Sequence, residues 1–163
     1  MLRLILVAAV TVAAPACSQE AAAPTNSTQP KAPTAATKAC DLLTAAEAKT
    51  ALGRDAQRMP SDGGPAGLDI CQYGYQGDRL ADVGQVSVTV QPVGLNSVIA
   101  AAKEQGYELE PVAGIGDEAY YSREIGLYVG KGNRSAIYLL GAGGLSDAKE
   151  RTVALARATA GRL

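Results

Sequence analysis

Val86-Ser87-Val88-Thr89-Val90 sets a valine at every second position with a small hydroxyl residue between. Side chains of an extended strand alternate between faces, so the run reads as a half-buried β-strand. Ile70-Cys71-Gln72-Tyr73-Gly74-Tyr75 reads as a strand before it, joined by a charged connection from Gln76 to Asp82. Strands are also expected over Asp117–Arg123, Ile125–Val129 and Arg134–Leu140, the last two joined by a tight turn at Gly132-Asn133. Short connections favour antiparallel neighbours.

Helices punctuate these strands. Thr44 followed three residues later by Glu47 is a capping box, and the helix it opens runs through Ala48 and Leu52 to Gly53. The stretch from Pro60 to Gly67 is a loop. Asn96 is expected to cap a helix through Val98, Ile99 and Ala102, ending near Gly106. Ser146 is expected to cap the last helix, which runs to about Ala160 and stops at Gly161. A constant shift of about 50 residues aligns Val86–Val90 and its Gly94-Leu95-Asn96 with Ala136–Leu140 and its Gly144-Leu145-Ser146. The expected fold is α+β. It has one antiparallel sheet with helices packed on one face, and a strand-strand-helix duplication preceded by an N-terminal helix.

The N-terminus carries an address. Met1-Leu2-Arg3 is a short n-region with one positive charge, and Leu4–Ala14 is uncharged. A run of that length is too short to span a bilayer and fits a signal-peptide h-region. Ala14-Pro15-Ala16-Cys17 resembles a lipobox, with Pro15 departing from its usual wording. Residues 1–16 are therefore expected to be a lipoprotein signal peptide and Cys17 the lipidated residue. The alternative is an ordinary signal peptide with an incidental cysteine. Residues 17–38 are rich in Ala, Pro and Thr and lack large apolar side chains, which is the composition of a disordered tether. Residues 39–163 form a single domain by length. The implied location is the cell envelope, on the extracytoplasmic side, with the membrane as a partner through the N-terminal lipid.

Composition narrows the chemistry. The 163 residues carry a formal charge of −1 with no charge block, which leaves no basic patch for nucleic acid. Histidine is absent, which removes Ser-His-Asp and Cys-His catalysis and histidine metal sites. Phenylalanine and tryptophan are absent too, so the core is aliphatic and all seven aromatics are tyrosines. With Cys17 assigned to lipid, Cys40 and Cys71 remain as an even pair and read as a structural disulfide.

Three stretches carry a resemblance. Cys40-Asp41-Leu42-Leu43-Thr44 opens a helix ending in Leu52-Gly53; Cys71-Gln72-Tyr73 follows; Val112-Ala113-Gly114-Ile115-Gly116-Asp117-Glu118-Ala119-Tyr120 is the third. Over most of residues 39–163 the chain resembles a broad family of small, actinobacterial-type envelope lipoproteins with a domain of unknown function. Its layout is similar to the extracellular sensor domain of certain serine/threonine kinases. The resemblance implies architecture and location rather than a reaction.

Each motif with catalytic wording has a plainer reading. Ser146-Asp147-Ala148-Lys149 matches the Ser-x-x-Lys pattern of penicillin-binding enzymes, but their companion motifs are missing and an N-cap accounts for the serine. Gly114-Ile115-Gly116 lacks the third glycine of a dinucleotide fingerprint. Asp117 and Glu118 are strand neighbours and point to opposite faces. Asp62, Asp69, Asp78 and Asp82 match no calcium-loop spacing. No cofactor or metal is implied. Tyr120, Tyr121, Tyr128 and Tyr138 fall on expected strands and are the candidates for a ligand or partner surface, with a boundary role in the core as the alternative. The expected function is a non-catalytic, lipid-anchored binding or accessory domain for an envelope ligand or protein partner. The alternatives are a small serine hydrolase using Ser146 and Lys149, and a purely structural envelope lipoprotein.

Overall fold

The computed structural model describes residues 37–60 and 68–163. The expected signal peptide, Cys17, the tether up to residue 36 and Asp62 lie outside the described residues. Thr37, placed by sequence in the tether, is bonded to the domain: its Oγ1 donates to the Arg162 carbonyl at 3.2 Å and accepts from Arg134 Nη1 at 3.0 Å.

Among the described residues, seven strands form one antiparallel sheet. They are β1 (Gln57–Arg58), β2 (Asp69–Tyr75), β3 (Gly84–Gln91), β4 (Glu110–Pro111), β5 (Glu118–Ser122), β6 (Gly126–Lys131) and β7 (Arg134–Ala142). Their spatial order is β1-β2-β3-β7-β6-β5-β4. The alternating strand β3 is central, hydrogen-bonded to β2 on one side and β7 on the other. The sheet edges, β1 and β4, are two residues each and were not anticipated from sequence. Short edges, with Pro111 on one of them, limit further strand pairing.

The helices are α1 (Ala39–Leu42), α2 (Ala45–Leu52), α3 (Leu95–Glu104) and α4 (Ala148–Thr159). Val86, Val88 and Val90 point to the face covered by α1, α2 and α4, and pack with Leu42, Leu43, Leu52, Leu127, Val129 and Leu155. α3 lies on the opposite face. Its Leu95, Ile99 and Ala102 form a separate cluster with Tyr128, flanked by Tyr120 and Ile137. Tyr128 pairs with Ile137 across β6 and β7, one position out of phase with Leu127 and Tyr138. The expectation of helices on one face therefore holds for three of these four helices and is corrected for α3. The reason is physical: Leu127-Tyr128-Val129 and Ala136-Ile137-Tyr138 are apolar at successive positions, so β6 and β7 need cover on both faces. α3 supplies it while carrying the chain from β3 to β4 at the far edge.

The 50-residue shift has a partial counterpart. Val88 is the cross-strand partner of Tyr138, so a two-fold rotation through that pair exchanges β3 with β7. The helices that follow these strands lie on opposite faces, so the repeat holds for strands and fails for helices.

Cys40 and Cys71 form a disulfide with Cα atoms 5.0 Å apart, tying α1 to β2. The Asp69 carboxylate adds a second tie by accepting from the Ala39 amide at 2.9 Å. α3 is capped at Gly94, with Asn96 inside its first turn, and α4 is capped at Asp147, with Ser146 one residue outside. Asp147 is paired with Arg151 one turn on at 2.9 Å and makes no capping bond through its side chain. Gly161 does not stop α4. The helix tightens into a 3-10 turn over Ala160–Arg162, where Arg162 donates to the Leu42 carbonyl and pairs with Glu47.

The Thr44–Glu47 capping box is present as read. Thr44 Oγ1 accepts from the Glu47 amide, and the Glu47 carboxylate accepts from the Thr44 amide at 2.9 Å. Burial pushes the Glu47 carboxyl up, but the bonds from Thr44 and the Arg162 guanidinium outweigh it and hold the group below its ordinary value. A carboxylate depressed in the folded state stabilises above its unfolded pKa, and that contribution is lost as pH falls through the folded pKa. Thr44→Ala is expected to cost about 1 kcal/mol at pH 7. Glu47→Gln is expected to destabilise at pH 7 and to converge with wild type in acid. Denaturant melts at pH 7 and pH 3 check this; an equal gap at both would show that the charge of Glu47 contributes nothing.

Candidate functional site

The clefts lined by Tyr128 and Tyr121, two of the tyrosines picked out by sequence, lie on opposite faces of the sheet, and Tyr120 lines a third beside β4 and β5. The first is between α3 and the sheet. Leu95 rests on Gly130 of β6, where an added Cβ would come within 2.6 Å of the Leu95 Cβ. Glycine at that position lets the start of α3 approach the sheet closely. Farther along α3 a cleft of about 350 Å³ opens toward β7 and β3. Its apolar walls are Val98 and Ala101 from α3, Ile125 before β6 and Ile137 from β7. Tyr107, just past α3, and Tyr128, on β6, also line it, and Gln91, Ser97 and Gln105 are its other polar residues. Burial first, then the neighbouring Tyr107 and the Glu124 carboxylate, push the Tyr128 phenol above its ordinary pKa. Its hydroxyl therefore stays protonated and able to donate across the physiological range.

The second cleft, of about 840 Å³, is at the β4–β5 end beside α4. Glu108, Glu110, Arg123, Glu124, Tyr121 and Lys149 line it. Lys149 Nζ is 2.6 Å from the Glu110 carboxylate and 5.2 Å from the centre of the Tyr121 ring. Lys149 thus reaches across to β4 and Tyr121. Ser146 is exposed, and Lys149 is engaged by the Glu110 carboxylate, with no bond to that serine.

The four tyrosines separate. Tyr121 lines the charged cleft and Tyr128 the apolar one. Tyr120 is half-buried on the α3 face, and its hydroxyl donates to the Glu118 carboxylate; that bond pushes its pKa up. Tyr138 is not a surface residue. It is fully buried, and its hydroxyl accepts from Thr159 Oγ1 at 2.9 Å, so its polar tip is satisfied inside the core.

Four of the carboxylates flagged by sequence have partners. Asp117 accepts from the Gly132 amide at 2.7 Å and braces the β6–β7 turn, while Glu118 holds Tyr120. Asp69 holds the Ala39 amide and Asp82 pairs with Arg79. Among the described residues no group of three or more Asp, Glu or Cys is placed to hold a metal ion. Tyr107, Ile125 and Ile137 were missed from sequence. The apolar residues at both parities of β7 signalled Ile137, whereas Tyr107 and Ile125 lie outside regular elements and only tertiary packing brings them to the cleft.

No protein-family model, curated protein or solved structure matches the chain. The disulfide is compatible with an oxidising, extracytoplasmic compartment. No helix among the described residues is long and apolar enough to cross a membrane.

Proposed function

We propose that the chain is a lipid-anchored, extracytoplasmic binding module without catalytic activity, and that the cleft between α3 and the sheet is its ligand site. The observation that carries this reading is the make-up of the cleft: apolar walls on two elements, with a small number of polar groups converging on them. That is the common chemistry of a small-molecule site, and its volume is at the lower end of the range such sites occupy. Attachment is assigned to Cys17 behind its leader, and the disulfide suits the compartment that this address implies. The charged cleft supports the reading less well, because its lysine and one of its glutamates already neutralise each other.

The test is native mass spectrometry of the full chain, exported by a lipidating bacterial host and extracted gently from its membranes. The expected mass is that of a chain lacking residues 1–16, acylated at Cys17 and carrying a ligand that leaves on denaturation. The Cys17→Ser variant should appear in the soluble fraction with the same ligand. A variant that remains membrane-bound would remove the anchor from the proposal. A bare protein from both fractions would count against the binding role.

A further inference from the structure

The two clefts differ most in charge. Five of the residues lining the larger one are acids or bases, whereas the cleft beside α3 has no Asp, Glu, Lys or Arg in its lining. The uncharged surface continues past its mouth. On the same face of the sheet, β3 presents Gln85, Thr89 and Gln91, each half-buried, around a buried Ser87, and β7 presents Leu139, which is 39% exposed. A soluble surface usually intersperses charges of both signs, so an amide, hydroxyl and apolar stripe next to an uncharged cleft is a selective feature.

Resting on the reading of this cleft as the ligand site, we infer that it takes a neutral amphiphile. The apolar body of the ligand lies against Val98, Ala101, Ile125 and Ile137, and an uncharged hydroxyl- or amide-bearing head reaches Tyr107, Tyr128 and Gln91. An ionised head would lose its hydration there without gaining a counter-ion, which is costly. An anion meets a further penalty from Glu124, whose carboxylate is near enough to influence the Tyr128 hydroxyl. Glu124 does not line the cleft, so a buried ammonium would gain only its distant field and no contact ion pair to offset the lost hydration. The volume of about 350 Å³ corresponds to about a dozen water-sized units, which suits a short alkyl body.

The test uses the full chain carrying Cys17→Ser, which needs no detergent, titrated calorimetrically with three probes of equal chain length. These are octyl glucoside, octanoate and octyltrimethylammonium, all kept below micellar concentration. Octyl glucoside is expected to bind at least about tenfold more tightly than either ion, a gap of about 1.4 kcal/mol. Ala101 is exposed at the mouth, so Ala101→Trp and Ala101→Arg should each abolish binding without changing the melting temperature. Tyr128→Phe should weaken octyl glucoside about 2- to 10-fold, the range for one hydrogen bond. A charged probe that binds as tightly and is blocked by Ala101→Trp would overturn the neutral class and leave the cleft as the ligand site. Binding of no probe, or binding untouched by both Ala101 variants, would overturn the site itself.

Discussion

Removing the Cys40–Cys71 disulfide by the double substitution Cys40→Ala and Cys71→Ala is expected to lower folding stability by about 3–5 kcal/mol. The two cysteines are 31 residues apart, and a link of that span restricts the unfolded chain by about 3–4 kcal/mol in the loop-entropy account. The balance comes from packing, because Cys71 sits in the main core and truncation to alanine leaves a gap there. The folded state should change little. Ala39, Leu42 and Leu43 are fully buried, and Asp69 still holds the Ala39 amide, so α1 stays docked without the covalent link. A domain of this size should melt about 10–20 °C lower. Scanning calorimetry of wild type, oxidised and reduced, against the double variant checks the account. The reduced wild type should lose slightly less than the variant, since it keeps both sulfur atoms. A fall under about 3 °C in both would mean that the link restricts nothing the unfolded chain explores. Neither substitution should alter where the protein resides, since both lie outside residues 1–17, to which the proposed address is assigned.

The parts of the fold legible in sequence are those decided by local chemistry. Thr44 and Glu47 satisfy each other's neighbouring amides within one turn, so the box was readable three residues at a time. Val86–Val90 declares its two faces by alternation, and the structure shows one face in the core and the other carrying Ser87 and Thr89. β7 is harder. Ser135-Ala136-Ile137-Tyr138-Leu139-Leu140 has apolar residues at both parities, so nothing local distinguishes Tyr138 in the core from Ile137 beneath the cleft. The same feature, read as cover on both faces, would have placed a helix opposite the others. The starts of α3 and α4 differ from the sequence expectation for another reason. Asn96 and Ser146 are good cap residues, but the helices begin at Leu95 and Ala148, and Asp147 has its own partner in Arg151. The apolar cleft was least legible, because its walls come from α3, β6, β7 and two connections that meet only in three dimensions.

Gly126→Ala is expected to be as severe as loss of the disulfide, at about 3–5 kcal/mol, although it adds only one methyl group. Gly126 opens β6 at φ 105°, in the region that favours glycine. A Cβ at this position would run into the main-chain carbonyl oxygen of Tyr138 on the adjoining strand. A side chain could rotate away from such a contact, but a sheet carbonyl cannot, so β6 and β7 would have to separate or Gly126 would have to change conformation. Either response reaches Leu127 and Tyr138, cross-strand partners in the main core, and Tyr128 on the opposite face. The effect should therefore appear in the octyl glucoside binding proposed for the cleft as well as in stability. Gly141→Ala is the matched control. It lies in the neighbouring strand β7 without a positive φ, and a Cβ there meets no atom within 4 Å. That change should be neutral or stabilise by up to about 1 kcal/mol. Urea denaturation of both variants separates the accounts. A small loss at Gly126 would mean that the β6–β7 ladder yields to a methyl group, and the tight crossing of these two strands would then not be what holds the cleft floor in place.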